Sequence, residues 1–292
     1  METVTTLEEL RIARQKLREP VGLVPTMGFL HQGHLSLVQH ARSECPAVAV
    51  SIFVNPTQFG PHEDLDAYPR DLEKDLIMLE DAGVDLVWTP TPEIMYPKGF
   101  QTWVQVDKVS KPLEGTRRPG HFRGVVTVVA KLFNAVLPQR AYFGQKDAQQ
   151  VVVIRQMVRD LNFHLKVVVC PLIREEDGLA MSSRNSYLDS EQRQAAPVLF
   201  RALNTAKEVY KAGERQAEKL RKVMIAEIEA EPLVKLQYVS VAHPDTLDEL
   251  DQVDRDALFS MAVYLGSTRL IDNFLLREGE WQTGQKISDA KV

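Results

Sequence analysis

Residues 21–34 read VGLVPTMGFLHQGH, and this stretch decides the fold. Val21 to Pro25 is a short apolar run, a glycine-bearing turn follows, and helical spacing takes over from about His34 to Arg42. A strand that turns straight into a helix is the opening of a strand–helix–strand unit. The next run, Ala47 to Val54 (AVAVSIFV), is almost wholly apolar and β-branched, as expected of a strand covered on both faces. Asp71 to Asp81 reads as an amphipathic helix ended by Gly83, and Val84 to Trp88 as another apolar run. From Gly124, the residues Val125, Val128, Val129, Leu132, Phe133 and Val136 recur at helical spacing. Ala141–Gly144 is a strand candidate, Ala148–Arg159 a helix and Leu165–Cys170 a strand. Such alternation predicts an α/β fold, a doubly wound, Rossmann-like parallel sheet over residues 1–175.

The pattern changes near Pro171. After a polar loop, Ser190–Lys211 and Gln216–Ala230 read as two charged amphipathic helices. Lys235–Ala242, Ala257–Leu265 and Thr268–Leu276 read as β-rich runs. Helices followed by strands predict a smaller α+β domain over 176–292, with its last dozen polar residues frayed.

The chain has 292 residues, 44% hydrophobic and 26% charged, which excludes a disordered, collagen-like or coiled-coil protein. No apolar run approaches the roughly 20 residues of a membrane span. The opening METVTTLEELRIARQ lacks the basic-then-apolar order of a secretory signal, and no such signal is expected. Cys45 and Cys170 cannot make a disulfide framework and read as buried thiols. A formal charge of −5 argues against a nucleic-acid partner. An anion would have to be held by a local concentration of cations.

Ligands of an open parallel sheet bind at the carboxyl ends of its strands, where the candidate residues lie. The first resembles a Walker A loop, with Gly28, four residues and then Gly33. His34 and Leu35 replace the lysine and hydroxyl, however, and the P-loop reading fails. What remains is a turn with His31 and His34 at a helix start, where backbone N–H groups and the helix dipole favour an anion. Two incidental loop histidines would read the same. Zinc would need a further ligand and a different spacing. The second end carries Asn55 and Gln58, amides suited to hydroxyls and a carboxylate, or to a turn held by its own side chains. Gly115 to Gly124 (GTRRPGHFRG) gathers cations before a helix, either for an anion or as a solvated loop. The fourth end, FGQKDAQQ, joins Gly144, where a ligand could approach the backbone, to Lys146. Asp177 to Asn185 (DGLAMSSRN) sets two hydroxyls beside an arginine, either as a phosphate clamp on a lid or as an ordinary N-cap.

In combination these segments resemble the pantothenate synthetase (pantoate–β-alanine ligase) family. The motifs run in order: PTMGFLHQGH, FVNPTQF, RPGHFRGV, YFGQKDAQQ, DGLAMSSRN and RLIDN, the last at Arg269 to Asn273. His-x-Gly-His alone belongs to a broad nucleotidyltransferase superfamily, whereas VNPTQF with Gly-Gln-Lys-Asp is specific. The resemblance implies an ATP-dependent ligase that makes pantoyl adenylate and pyrophosphate, then pantothenate and AMP. It implies that Met27, Gly28, Phe29, Leu30, His31, Gln32, Gly33 and His34 bind ATP, with His34 the family's proton donor and His31 beside it on the phosphates. Gly144, Gln145, Lys146 and Asp147 would hold the nucleotide, with Lys146 on the phosphates. Ile173 would touch the adenine side, and Met181, Ser182, Ser183 and Arg184 would close on the triphosphate. Gln58 and Gln150, with Asn55, would hold pantoate, and Gln58 would also lie near β-alanine. Magnesium is expected with ATP, with no protein ligand assigned. A cytoplasmic homodimer is expected, with 176–292 as its lid- and dimer-associated domain. The competing readings are a His-x-Gly-His nucleotidyltransferase acting on a phosphorylated acceptor, and a nucleotide sensor with a silent site.

Overall fold

The computed structural model describes residues 1–61 and 63–289. The chain divides into two compact units, Met1–Cys170 and Pro171–Lys291.

In the first unit the strands are β1 (Glu2–Val4), β2 (Val21–Thr26), β3 (Ala47–Ile52), β4 (Leu86–Trp88), β5 (Arg140–Gly144) and β6 (Lys166–Cys170). They form one parallel sheet in the order β1-β4-β3-β2-β5-β6. The helices are α1 (Leu7–Gln15), α2 (Gln32–Glu44), α3 (Leu72–Asp81), the short α4 (Pro92–Met95) and α5 (Glu114–Arg117), then α6 (His121–Val136) and α7 (Ala148–Asp160). Alternate side chains of a strand take opposite faces. Val24, Val48, Val50 and Val87 therefore pack with Leu37, Val38 and Ala41 of α2 and Leu79 of α3 in one buried cluster. The intervening Leu23, Ala49 and Leu86 are also buried, on the face where α6 meets β2 and α7 meets β5 and β6. Burial on both faces accounts for the unbroken apolar runs that announced these strands.

The order of strands positions the site. From β2 the chain steps outward through β3 to β4, then returns to lay β5 on the other side of β2. The sheet thus reverses direction between β2 and β5, and a ligand crevice opens at the carboxyl ends of such a pair. Those ends are Thr26 and Gly144.

The second unit holds β7 (Ile173–Arg174), α8 (Ser190–Ala195), α9 (Val198–Lys211), α10 (Ala217–Glu229), β8 (Val234–Ala242), β9 (Ala257–Leu265), β10 (Thr268–Arg277), β11 (Glu280–Gln282) and β12 (Gln285–Lys286). The sheet β11-β10-β9-β8 is antiparallel. Leu199, Ala202, Leu203 and Ala206 of α9 and Leu220, Met224 and Ile228 of α10 pack on Val241, Phe259, Met261 and Phe274.

Two expectations need correction, and one pair of elements goes unread in the sequence. Ser190–Lys211 is two helices, because Pro197 has no N–H to continue the ladder and sits as the cap between them. The polar terminus is ordered as far as it is described: β12 pairs with β7, and Gln285 N–H donates to the Leu172 carbonyl at 2.8 Å. Residues 290–292 lie outside the described residues. The pair β1–α1, unread in the sequence, forms an edge, with α1 started by a Thr6–Glu9 capping box.

Candidate active site

The turn after β2 is held open from below. Gly28 and Phe29 both have left-handed backbones, φ +80° and +50°. Phe29 carries the steric cost of that conformation because Asp75, on α3, accepts the N–H groups of Phe29 (2.8 Å) and Leu30 (2.7 Å). A side chain at Gly28 would begin 3.0 Å from Asp75 Oδ2 and 3.1 Å from Ile52, so glycine is required by space as well as by φ. Burial raises the Asp75 carboxyl above its usual range, against the lowering by its two amide donors.

The two histidines cap α2 reciprocally. His31, the N-cap residue, accepts the Gly33 N–H on Nδ1 (3.1 Å), and His34 accepts the His31 N–H on Nδ1 (3.3 Å). An Nδ1 that accepts carries no proton, so each neutral ring bears its hydrogen on Nε2. The ring centroids are 4.1 Å apart. Burial, then the His34 and Lys146 charges, push His31 down to about 2. Burial and Lys146 push His34 down to about 4, against a smaller opposing effect of Asp147. At neutral pH the helix start therefore presents two uncharged N–H donors beside one ammonium. Lys146 comes from the neighbouring strand end, where its Nζ lies 3.6 Å from Asp147 Oδ1. Open space lies where a Gly144 side chain would stand. Gln145 is buried, and Gln150 is half-buried in the first turn of α7.

The β3 end holds Asn55 and Gln58, in different situations. Asn55 is 1% exposed. Its Oδ1 accepts from Thr57 N–H (3.3 Å), Thr57 Oγ1 (2.9 Å) and the Tyr96 hydroxyl (2.8 Å). Its Nδ2 donates to Gln58 Oε1 (3.1 Å) and the Gly124 carbonyl (3.2 Å). All its polar capacity goes to the chain, so Asn55 orients Gln58. Gln58 Nε2 is thereby turned toward Met27 Sδ, at 2.8 Å.

The cation-rich RPGHFRG segment braces this same turn. His121 Nδ1 donates to the Gln58 carbonyl (2.8 Å), so its Nε2 is free to accept from Arg118 Nη1 (3.1 Å). Burial and the Arg118 charge hold His121 down to about 4. Arg118 in turn makes a two-pronged contact with Glu63, at 2.7 and 2.6 Å. A Cβ at Gly124 would lie 2.3 Å from the Thr57 carbonyl oxygen, so only glycine lets α6 approach the turn.

In the second unit, Ile173 and Met181 face each other across a hairpin, Met181 N–H donating to the Ile173 carbonyl at 3.0 Å. Ser182 caps the short 3-10 turn Ser183–Tyr187 by accepting the Arg184 N–H at 3.3 Å. Thus Met27–His34, Asn55–Gln58 and Gly144–Gln150 gather at the ends of β2, β3 and β5, and Ile173 with Met181–Arg184 forms a group of its own in the second unit. Asp75, Tyr96, Arg118 and His121 were not singled out as individual site residues in the sequence. Asp75 had a signal: it is a carboxylate on the apolar stripe of Leu72, Leu76 and Leu79.

Two outcomes follow from this geometry. Imidazole 15N spectra should place the proton of His31 and His34 on Nε2 at pH 7, with His34 titrating near 4 and not near 6.5. Unfolded imidazoles protonate near 6.5, so acidification from about 6.5 toward 4 for His34, and toward 2 for His31, loads protons on the unfolded chain first. These rings thus weaken the fold over that window and add no pH dependence above it. An ordinary titration near 6.5 would refute the capped arrangement. Gly124→Ala should cost about 2 kcal/mol or more in denaturant unfolding, as overpacking against backbone does.

Comparison with known proteins agrees along nearly the whole chain. A profile of the family described as Pantoate-beta-alanine ligase matches residues 1–275. A pantothenate synthetase of Chloroflexus aggregans is 63% identical over 277 residues, covering 94% of this chain and 100% of that protein. The crystal structure of pantothenate synthetase from Thermus thermophilus superposes with a TM-score of 0.90 at 51% identity, covering 94% of this chain and 98% of that one. A Francisella tularensis pantoate-beta-alanine ligase, complexed with beta-gamma ATP and beta-alanine, gives 0.78 at 35% identity, with 94% and 97% covered. With its capped histidine pair, its Asn55–Gln58 turn and this likeness from end to end, the chain belongs to the pantoate–β-alanine ligase family.

Proposed function

We infer that the chain performs its family's reaction at the carboxyl ends of β2, β3 and β5. It is an ATP-dependent ligase that condenses pantoate with β-alanine. A pantoate carboxylate oxygen attacks the α-phosphorus of ATP, and the bond to the bridging oxygen breaks with its electron pair leaving on pyrophosphate. The β-alanine nitrogen then attacks the acyl carbon, AMP departs, and the nitrogen loses a proton as the amide forms. The observation that carries this reading is the meeting of His31, His34 and Lys146 at the reversal of the sheet, one strand from Gln58.

No protein nucleophile is needed; such chemistry rests on position and on neutralising charge as it develops. His31 and His34 donate from Nε2 to phosphate oxygens, and Lys146 supplies the point charge. Met27 to Gly33 and Gly144, Gln145 and Asp147 lie along the nucleotide, and Gln58 and Gln150 hold pantoate. Asn55 serves through Gln58. Ile173 and Met181 to Arg184 are the second unit's contribution to ATP. His34 serves as a neutral hydrogen-bond donor, which refines the proton-donor role implied by resemblance.

Magnesium enters with ATP on phosphate oxygens and water. Among the described residues no group of three or more His, Cys, Asp or Glu could hold a metal ion. A cytoplasmic homodimer is the assembly we propose, and sedimentation at assay concentration should give twice the chain mass. Among the described residues no helix is long and apolar enough to cross a membrane. The transferase alternative, on a phosphorylated acceptor, is not favoured.

Pyrophosphate release should require pantoate and no phosphorylated acceptor, and β-alanine should convert the adenylate to AMP. His34→Ala should lower pyrophosphate release by about 10²–10³-fold, as loss of one preorganised donor does. Thermal unfolding is read alongside, since the variant also loses a cap. Lys146→Ala should lower turnover similarly and raise the ATP requirement. Gln58→Ala should chiefly raise the KM for pantoate. Near-normal turnover of His34→Ala would remove the histidine pair from the chemistry.

A further inference from the structure

The second unit contains an ion pair that its fold alone does not explain. Arg174 and Asp272 are both about 2% exposed. The guanidinium meets the carboxylate as a two-pronged fork, Nη1 to Oδ2 at 2.7 Å and Nη2 to Oδ1 at 2.8 Å. Its remaining hydrogens go to backbone: Nη1 to the Gly178 carbonyl (2.9 Å), Nε to Thr283 (2.5 Å) and Nη2 to Asn273 (3.4 Å). The cation also lies 4.7 Å over the Phe200 ring and 5.2 Å from that of Phe274. Every N–H of the fork has an acceptor, which is what makes a buried charge tolerable.

One of these acceptors, Gly178, lies in the hairpin that carries the nucleotide residues, and Thr283 and Asn273 tie the same guanidinium to later parts of the chain. Arg174 pairs with Ala180 in an antiparallel bridge, Glu175 N–H donates to the Leu179 carbonyl and Gly178 N–H to that of Glu175. Ile173 stands immediately before the bridge and Met181 to Arg184 immediately after it. Gly178, at φ +94°, lies so close to Phe200 that a Cβ would fall 2.2 Å from the ring. Outside the turn, Arg193 of α8 grips Glu175 (2.5 Å) and Asp177 (2.6 Å), and Asn185 donates to Glu175 (2.9 Å). Asp272, on β10, thus fixes a hairpin almost a hundred residues earlier in the chain.

We propose that Arg174, held by Asp272, is a positioning residue for ATP: the buried pair sets the hairpin so that Met181 to Arg184 meet the triphosphate. This rests on the nucleotide reading of those residues given above. An apolar pair of similar volume can replace a buried ion pair without loss of stability. A charged pair whose guanidinium also binds the hairpin carbonyl of Gly178 is therefore explained better by placement than by folding energy.

The test uses the full chain with Arg174→Lys, Asp272→Asn and the double variant Arg174→Met/Asp272→Leu, which leaves no lone buried charge. Each is assayed for kcat, for KM with each substrate, and for amide exchange over residues 175–185. The expected result is a KM for ATP raised about tenfold or more, with KM for β-alanine held within about twofold, because misplacement of a contact weakens that contact alone. Exchange at 175–181 should quicken, and the double variant should recover thermal stability without recovering ATP affinity. An unchanged KM for ATP in the folded double variant overturns the proposal, as does a uniform fall in activity that tracks only the folded fraction. Should the single variants fail to fold, the double variant decides. Arg184→Ala separates the premises: an unchanged KM for ATP there refutes the nucleotide reading itself. A raised KM there with a silent double variant refutes only the positioning role.

Discussion

Both imidazoles at the head of α2 are bound through Nδ1 to backbone N–H groups, and that commitment governs what the site can do. A ring whose Nδ1 accepts must carry its proton on Nε2, so both rings face outward as donors. To become imidazolium, either ring would have to release the cap it makes, in surroundings poor in water and beside an ammonium. The pair is therefore kept neutral by the bonds that orient it. Charge at the site is left to Lys146, a mobile group on an adjacent strand end, and to the start of α2. This division follows from the order of the strands, since β2 and β5 are neighbours only because the sheet reverses between them.

Around these residues the chain repeats one device. A polar side chain, buried or half-buried, bonds to the backbone of a turn and gives its remaining hydrogen bonds to other groups of the chain. Asp75 does this for Phe29 and Leu30, Asn55 for the 55–58 turn, His121 for the Gln58 carbonyl and Arg174 for the hairpin at Gly178. An unsatisfied buried polar group is expensive, whereas a satisfied one is rigid. These side chains are thus suited to placing the turns they bond. Glycines complete the device where backbones must nearly touch, as Gly124 does against Thr57.

How much of this was legible can be argued element by element. The strand at 47–52 was plain because burial on both faces writes a nearly unbroken apolar run, and that at 166–170 because three consecutive valines precede Cys170. β1 was not, because three residues at an edge carry no period. The helix at 190–211 looked continuous because amphipathic spacing persists across Pro197, while the missing N–H is a matter of one residue. At the site, the histidine pair and the glycine turn were visible as a local pattern. The meaning of RPGHFRG was not. Its cations read as available to an anion, yet Arg118 is matched by Glu63, 55 residues earlier. Asn55 read either as a substrate amide or as the holder of its own turn, and the fold shows its amide engaged in that turn. Ordered motifs gave the substrates, which spacing and composition could not.

The neutrality of the histidines bears on the proposed chemistry. Adenylation brings a carboxylate onto a polyanion, and two unit charges about 4 Å apart repel by about 4 kcal/mol at an effective dielectric constant of 20. A site could offset this with several cations, but fixed cations would hold ATP and the departing pyrophosphate alike. Interactions of equal strength in the ground and transition states lower KM and leave the chemical barrier where it was. Neutral Nε2–H donors grip less in the ground state and strengthen as negative charge accumulates on the oxygens they face. One ammonium with two oriented neutral donors is therefore better matched to a transient build-up of charge than three cations would be. In the reaction proposed above, the caps that hold the imidazoles neutral thus serve the chemistry as much as the helix.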